Sequence, residues 1–514
     1  MVRVAIVGCA HGMLDDIYAT VRFINEMDAA NPVELLLCCG DFECMRNTKD
    51  LENLACPPKY REMHSFHQYY KGEKVAPVLT IFIGGNHEAS NYLSELHYGG
   101  WVAPNIFYLG AAGVVNVAGL RIGGLSGIYK HQDYTSGRFE KEPFDNSTMR
   151  SVYHVRELEV FQLSHLQMQD TKKVNVFLSH DWPRGIEQYG DVRTLIRRKP
   201  FFQQEIQSNT LGSPAGEFLL FQLKPQHWFA AHLHVKFAAL VRHAAPAETI
   251  TTGASAKEPT SEGTLSADAS ADVSADQTGV TESQQPVEGQ VTKFLALDKC
   301  LPRREFLQVL DIPAAPSTTD GSERAVAPET SRQPPKILFD FEWLAVLRAT
   351  HHLASASKYA PRVPQEEMHI EARDIEWVQA RYRDFVVEKG LSGKVEGEWI
   401  SDFVKTAPAF GDEERAWNGR SFSGNPQTDL LLELLKLPHV VTNPYVGGGV
   451  GGAGSGVVGV AVEDPNEIDL DDDLDDDVAT DGGAVPMTED QKTAAAATTV
   501  AAQVEDPNEL DIDL

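Results

Sequence analysis

Short apolar runs recur along the first 240 residues, and the stretches between them carry apolar residues at helical spacing. Short runs bounded by glycine or polar residues are typical of buried strands, whereas a repeat of three to four residues is typical of amphipathic helices. The alternation predicts an α/β fold built in layers. The predicted strands are 4–7, 33–37, 78–83, 120–123, 174–178 and 228–231.

The second half of the chain changes composition several times. Residues 244–291 contain almost no large apolar side chain, so they would bury too little surface to offset the entropy of ordering. A folded pattern then returns, with amphipathic helical segments predicted at 341–353 and 374–387. We therefore predict a first domain at 1–243, a disordered low-complexity insertion at 244–291, a small mostly helical C-terminal domain at 292–437, and a Gly-rich then acidic disordered tail at 438–514.

The formal net charge of -29 is distributed unevenly. Residues 461–514 carry -17 and residues 244–291 carry -7, which leaves -5 for the rest of the chain. The predicted folded part is close to balance, so the acidic composition does not exclude a nucleic-acid partner. An acidic-hydrophobic sequence at 462–470 recurs at 504–514. This repeat is either a docking peptide for a protein partner or part of a solvating disordered tail.

Six cysteines are present, and five of them lie in the first 56 residues without the regular spacing of an extracellular disulfide framework. Arg3 and Gly8 interrupt the first apolar run, which is therefore not typical of a signal peptide. No uninterrupted apolar stretch reaches membrane-spanning length. These features predict a reduced intracellular compartment, no membrane association, and cysteines that serve as thiols or metal ligands.

Residues that can bind metals follow five of the predicted strands, and ligands of open α/β sheets gather at the carboxyl ends of strands. Each group alone has an ordinary explanation. Asp41 could begin a turn, His180 could be a core histidine, and Cys9 could be a small buried apolar residue. A lone histidine pair such as His232 and His234 is more often structural. Five groups in chain order favour a metal site instead: Cys9-Ala10-His11, Gly40-Asp41, Gly84-Gly85-Asn86-His87-Glu88, His180-Asp181 and His232-Leu233-His234.

The ordered groups resemble the motifs of the calcineurin-like metallophosphoesterase superfamily, which run Asp-x-His, Gly-Asp, Gly-Asn-His-Glu, His and His-x-His. Cys9 departs from this pattern, because most members have Asp there, but a cysteine is a feature of the lariat debranching branch. Other segments are also similar to that branch: 38–42, 98–105, 179–183, 211–215 and 292–304. The resemblance implies a layered β-sandwich core flanked by helices. It also makes 1–243 the metallophosphoesterase catalytic domain and 292–437 the C-terminal domain of the debranching branch.

The same resemblance implies two divalent metal ions and an acid. One ion would be held by Cys9, His11, Asp41 and His234, and the other by Asp41, Asn86, His180 and His232. His87 would protonate or hydrogen-bond the leaving oxygen, and a structural role is the alternative. A thiolate ligand favours ions softer than Mg²⁺, so we expect Fe²⁺ or Zn²⁺, with Mn²⁺ able to substitute.

Residues 124–156 resemble the lariat recognition loop of the debranching branch. Aromatic residues interleave there with basic ones, and aromatic rings can stack on unpaired bases. Without the resemblance, an ordinary surface loop is the simpler interpretation. The expected RNA contacts are Tyr129, Lys130, His131, Tyr134, Arg138, Phe139, Tyr153 and His154. A second basic cluster either contacts phosphates or forms a solvated helix face: Arg193, Arg197, Arg198 and Lys199.

The resemblance implies a phosphodiesterase that cuts the 2′,5′ bond at the branch point of excised intron lariat RNA, for intron turnover in mRNA processing. The expected partner is branched RNA, the expected location is the nucleus with the cytoplasm second, and the expected state is a monomer. One alternative is a metallophosphoesterase for a nucleotide, a phosphoprotein or linear RNA, which would not explain Cys9. Another is a metal-free binding module, which would not explain why every expected ligand position is filled.

Overall fold

The computed structural model describes residues 1–166, 173–243, 290–314, 335–364, 368–391, 393–412 and 420–450. Most of the predicted insertion and most of the predicted tail, including both copies of the acidic repeat, lie outside the described residues. Among the helices that are described, none combines the length and the apolar character needed to cross a bilayer.

Strands and helices are interspersed along the described chain. The strands are β1 Val2–Val7, β2 Leu35–Cys38, β3 Leu79–Phe82, β4 Gly100–Ala103, β5 Ile106–Tyr108, β6 Ala112–Val117, β7 Leu120–Leu125, β8 Val176–Ser179, β9 His227–Ala230, β10 Phe237–Arg242, β11 Val291–Ala296, β12 Leu307–Ile312, β13 Ile337–Phe339, β14 Arg420–Ser423 and β15 Val446–Val450. Each of the six predicted strands is confirmed, as β1, β2, β3, β7, β8 and β9.

Helices of four to seventeen residues connect and cover these strands. The α-helices are α1 Leu14–Met27, α2 Thr48–Glu52, α3 Phe66–Lys71, α4 Ser90–Glu95, α5 His131–Tyr134, α6 Thr148–Ser151, α7 Glu157–Ser164, α8 Val192–Arg198, α9 Phe202–Ser208, α10 Pro214–Leu223, α11 Phe341–Thr350, α12 Ala372–Glu388 and α13 Pro426–Leu435. Short 3-10 helices lie at Pro58–Tyr60, Ile186–Tyr189 and His351–Leu353. The predicted C-terminal helices are confirmed as α11, with the 3-10 turn that follows it, and α12.

Two mixed sheets form the core. The first has the order β12-β1-β2-β3-β5-β4, and the second has the order β10-β11-β9-β8-β7-β6-β13. The neighbours among β1, β2, β3 and β5 are parallel, as are those among β7, β8, β9 and β11. Parallel strands need crossover connections, and helices supply several of them.

In the first sheet, alternate residues of the inner strands belong to different cores. Val4 and Ile6 of β1 share a buried cluster with Ile122 and Val176 of the second sheet. Ala5 of β1 belongs to a separate cluster with residues of α1 and α3. Because successive strand residues face opposite sides, the first sheet packs on the second sheet with one face and on helices with the other. The predicted layered α/β sandwich is confirmed.

The segment after the insertion completes both sheets. β11 lies between β9 and β10, β12 covers the edge of β1, and β13 covers the edge of β6. The predicted domain boundary at residue 292 therefore does not separate two cores, because paired strands need each other's backbone hydrogen bonds. The structure also differs from the predicted tail at Val446–Val450, which pairs with β14.

Candidate metal centre

Five strands bring their carboxyl ends to one edge of the sandwich. Cys9, Asp41 and Asn86 follow β1, β2 and β3 of the first sheet, and His180 and His232 follow β8 and β9 of the second. All five strands are parallel to their inner neighbours, so the residues just beyond them meet. The chain order of the predicted groups thus becomes a cluster in space.

The first ligand group is formed by Cys9, His11, Asp41 and His234. One ligand atom from each of these residues lies within 4.8 Å of the ligand atoms of the other three. Nε2 of His11 is 3.3 Å from Nε2 of His234 and 3.7 Å from Oδ2 of Asp41. These are the four residues expected for one metal ion.

The second expected ligand group is Asp41, Asn86, His180 and His232, and it contains the other oxygen of the same carboxylate. Oδ1 of Asp41 is 3.3 Å from Nε2 of His180, which is 3.0 Å from Oδ1 of Asn86. The ring of His232 has its centroid 5.0 Å from that of His180. The two oxygens of Asp41 therefore face different groups, which would allow this carboxylate to bridge two ions.

The second ring nitrogens of two of the histidines, His180 and His11, support this arrangement. Nδ1 of His180 is 2.7 Å from the carbonyl oxygen of Cys39, and Nδ1 of His11 is 3.3 Å from a carboxylate oxygen of Glu43. A metal-binding histidine commonly donates its second N–H to a carbonyl or carboxylate, which fixes the tautomer that leaves the other nitrogen free to bind. Both contacts leave Nε2 directed at Asp41.

The charge states of the buried groups also suit cations. Burial lowers the pKa of His232 to about 3 and the pKa of His234 well below its ordinary value, so both imidazoles are neutral and keep a lone pair. Burial alone would raise the pKa of Asp41, but the nearby histidines, His180 first, hold it well below its usual range. These two neutral imidazoles and the ionised carboxylate, together with the sulfur of Cys9, are a donor set suited to transition metals. The residues fit the metal ions that the family resemblance implies.

The backbone is strained at the same residues. His11, Asp41, His232 and His234 have φ values of 43°, 49°, 65° and 47°, in the left-handed region that residues with a side chain seldom adopt. Such conformations cluster at functional sites, where the surrounding structure holds them in place. Four of the seven predicted ligands share this feature.

Glu88 joins the loops that carry Asp41 and Asn86. Its buried carboxylate accepts hydrogen bonds from the backbone N–H groups of Phe42, Glu43 and Gly85 at 2.8, 2.9 and 2.9 Å. Burial and the charge of Asp41 raise its pKa to about 8. At Gly85 a Cβ atom would lie 2.1 Å from Oδ1 of Asp41, so only glycine allows this approach.

His87 lies beside both ligand groups without belonging to either. Its backbone N–H donates to Oδ1 of Asp41 at 2.9 Å, and its ring centroid is 5.5 Å from that of His11. Among the described residues, its ring nitrogens make no hydrogen bond. The ring is partly exposed at the edge of the cluster, in a position that a substrate can reach.

The accessible half of the predicted recognition loop lies next to the second ligand group. The backbone N–H of Tyr129 is 3.4 Å from a carboxylate oxygen of Asp181, the residue after His180. The rings of Tyr129 and Tyr134 are 5.2 Å apart at their centroids. Tyr129, Lys130 and Tyr134 are partly exposed and His131 is exposed, so these four predicted RNA contacts are accessible.

The other predicted RNA contacts lie largely inside the loop. Arg138 donates to Glu159 and to two backbone carbonyls, and its side chain is 15% exposed. Nδ1 of His154 is 2.7 Å from Asp133, and both His154 and Tyr153 are buried. Phe139 is partly buried under the cation of Arg156. In this structure these residues make contacts within the loop. A buried charged group needs a partner, and Glu159 and Asp133 supply partners for Arg138 and His154.

The second predicted basic cluster lies on α8. Arg193, Arg197 and Arg198 are exposed, whereas Lys199 is buried.

Three residues near the expected ligands were not assigned a role from the sequence: Glu43, Glu88 and Lys299. Glu88 and Lys299 lie within segments that carry the family resemblance, and Glu43 lies just after Gly40-Asp41. Their closeness to these motifs in the sequence is the feature that could have identified them as part of the site.

Comparison with protein families agrees with this geometry. A model of calcineurin-like phosphoesterases matches residues 2–236. A model described as the lariat debranching enzyme, C-terminal domain, matches residues 289–440. The two matches flank the predicted insertion.

Curated relatives cover most of the chain. The lariat debranching enzyme of Arabidopsis thaliana is 42% identical over 447 residues, which is 87% of this chain and 89% of that protein. The lariat debranching enzymes of Mus musculus and Homo sapiens are each 49% identical over 71% of this chain. The matched region spans 56% of the length of these two mammalian relatives. The chain therefore belongs to the lariat debranching enzyme family.

Proposed function

We propose that this chain hydrolyses the 2′,5′-phosphodiester bond at the branch point of lariat RNA, so that the excised intron becomes linear. The observation that carries the proposal is the Asp41 carboxylate, whose two oxygens face two groups of buried ligands. Sharing one carboxylate between two ion sites is the arrangement used for in-line displacement at phosphorus. Membership of the lariat debranching enzyme family supports the choice of bond.

Two divalent metal ions are part of the proposal. One would be held by Cys9, His11, Asp41 and His234, and the other by Asp41, Asn86, His180 and His232. Such ions supply a nucleophile by lowering the pKa of water and stabilise charge on the attacking and leaving oxygens. The sulfur of Cys9 supports Fe²⁺ or Zn²⁺ as the native ions, with Mn²⁺ as a working substitute.

The protein's own residues position the RNA and manage the proton. His87 gives a proton to the 2′-oxygen as it leaves, which matters because an alkoxide is a poor leaving group. Tyr129 and Tyr134 stack on bases near the branch, since their rings are accessible beside the second ligand group. Glu88 keeps Asp41 and Asn86 in register through three backbone hydrogen bonds.

We extend the proposal to the cellular setting. Excised introns arise during mRNA processing, so the substrate calls for a nuclear location, with the cytoplasm second. The chain acts as a monomer in this proposal, and the acidic repeat at 462–470 and 504–514 binds a protein partner. Support for the partner is compositional, since acidic and apolar residues alternate in both copies.

Cleavage assays test the choice of bond. The full chain, with metal content measured, is incubated with a branched RNA and with a linear RNA of the same sequence. The proposal predicts cleavage at the 2′,5′ bond alone. Equal cleavage of both RNAs would assign a general nuclease, and hydrolysis of a nucleotide or phosphopeptide without cleavage of branched RNA would assign a different metallophosphoesterase.

A further inference from the structure

Lys299 lies beside the first ligand group, although the insertion separates it in sequence from the residues of that group. It pairs with Cys9 in an isolated parallel bridge, and the backbone N–H of Cys300 donates to the carbonyl oxygen of Cys9 at 3.0 Å. Paired residues of neighbouring extended segments project their side chains to the same face. Lys299 therefore projects on the side where the sulfur of Cys9 joins the cluster.

Close backbone packing holds this segment against β1. A Cβ atom at Gly8 would lie 2.2 Å from the carbonyl oxygen of Asp298, so the two backbones approach more closely than any other residue would allow. The backbone N–H of Gly8 also donates to the carbonyl oxygen of Phe306 at 3.0 Å. The position of Lys299 relative to Cys9 is thus fixed by the fold.

The ammonium group of Lys299 adds positive charge next to the centre. The residue is 7% exposed, and no carboxylate of the described part of the chain lies within ion-pair distance of its ammonium group. Burial, then the charges of His11 and Lys299, lower the pKa of His234, which places this ammonium group within electrostatic range of the first ligand group. Asp298 lies within electrostatic range of Lys299 but forms no ion pair with it, so a cation near the first ligand group is left to interact with an anionic ligand.

Further basic residues extend from Lys299 to α8. Glu305 contacts both Arg198 at 2.9 Å and Lys236 at 3.5 Å, which brings the end of α8 next to the strand that follows His234. Arg304 is 3.6 Å from Asp298. Arg303 is exposed and makes no ion pair with the acids that the structure describes. We call this group the Lys299 surface: Lys299, Lys236, Arg198, Arg303 and Arg304.

We infer that the Lys299 surface binds backbone phosphates of the RNA substrate, so this inference rests on the proposed function. Lys299 contacts the phosphate nearest the metal centre, and the arginines contact phosphates of the strand that leads away from the branch. The recognition loop reaches the centre on the side of His180, through Asp181, whereas Lys299 reaches it on the side of Cys9. The two elements therefore hold different parts of the RNA.

Salt-dependent binding tests the surface without relying on turnover. The full chain is titrated with branched RNA carrying a non-hydrolysable 2′ linkage, at several salt concentrations. The double variant Arg198→Gln/Arg303→Gln should weaken binding and lower the slope of log affinity against log salt by roughly 0.7 for each phosphate that it no longer neutralises. Arg383→Gln, an exposed arginine of α12, is the matched control and should leave the slope unchanged.

Lys299 is tested with two substitutions. Lys299→Met should weaken binding of the branched RNA with metal content unchanged, and Lys299→Arg should recover most of the affinity. If Lys299→Met reduced metal content or stability, the salt slope of the double arginine variant would test whether the Lys299 surface binds RNA phosphates. An unchanged salt slope in that variant would overturn the inference.

The two proposals fail in different ways. Wild-type protein that neither cleaves branched RNA nor prefers it to linear RNA would overturn the proposed function. Wild-type protein that does both, with the same salt slope as the double arginine variant, would overturn only the role of the Lys299 surface.

Discussion

Oδ1 of Asp41 lies 3.3 Å from Nε2 of His180. The same carboxylate has its other oxygen 3.7 Å from His11, so it belongs to both ligand groups. No other residue of the described chain has this double role in the cluster. The chemistry proposed for this protein therefore depends on Asp41 more than on any single histidine.

Asp41→Asn should remove metal from both groups. The amide keeps an oxygen that can accept the hydrogen bond from the backbone N–H of His87, but it loses the charge that a shared ligand supplies. We expect metal content to fall from about two ions per chain to less than about one. Elemental analysis of the purified variant checks this, and two retained ions would show that the carboxylate does not bridge.

His87→Ala should reduce turnover and spare metal binding. The ring belongs to neither ligand group, so its loss should cost about 10² or more in turnover of branched RNA through the missing proton donor. His352→Ala, at an exposed histidine after α11, is the control. A parallel loss of metal in His87→Ala would mean that the residue is structural.

Cys9→Asp should change which metal the first group prefers. The replacement restores the residue that most calcineurin-like enzymes have, and an oxygen ligand favours harder ions than sulfur does. We expect the proportion of bound Zn²⁺ and Fe²⁺ to fall relative to Mn²⁺ when the metals compete. Circular dichroism should show a retained fold, and unchanged competition between the metals would remove the argument from the thiolate.

Arg46→Met should destabilise the fold. The buried guanidinium bonds Asp50 at 2.7 and 3.0 Å and Glu95 at 2.9 Å, so its loss leaves two carboxylates without their cation. We expect the free energy of unfolding to fall by about 3 to 5 kcal/mol, measured by urea denaturation. Lys49→Met removes a cation that is 47% exposed and should cost less than about 1 kcal/mol. Equal effects of the two substitutions would contradict this view of the Arg46 network.

The sequence predicted which residues converge at the candidate metal centre better than it predicted the connections between segments. Strand ends are local features, and Cys9, Asp41 and His180 follow strands whose apolar runs are plain in the sequence. Pairing between distant strands is not local, so no sequence pattern indicated that β11 and β12 would complete the sheets of the first domain.

The local sequence pattern also did not predict which residues of the recognition loop are buried. Arg138 and His154 are residue types that can contact RNA, but each has an acidic partner in the fold. Arg138 pairs with Glu159, and His154 pairs with Asp133. Whether a basic residue faces solvent or an internal carboxylate depends on tertiary packing, which spacing does not report. Lys299 is the opposite case, because the local sequence pattern gave no reason to place it near the metal centre. It lies beside Cys9 through a bridge between segments about 290 residues apart in sequence.

We propose that two ions, sharing Asp41, are needed to cut the 2′,5′ bond. The most direct measurement is a metal titration of chelator-treated protein, in which bound metal and cleavage of branched RNA are followed in the same sample. We predict that cleavage is negligible without metal and rises to its full rate only as the second equivalent binds. Full cleavage of branched RNA by metal-free protein, or saturation of the rate at one bound ion, would contradict this proposal.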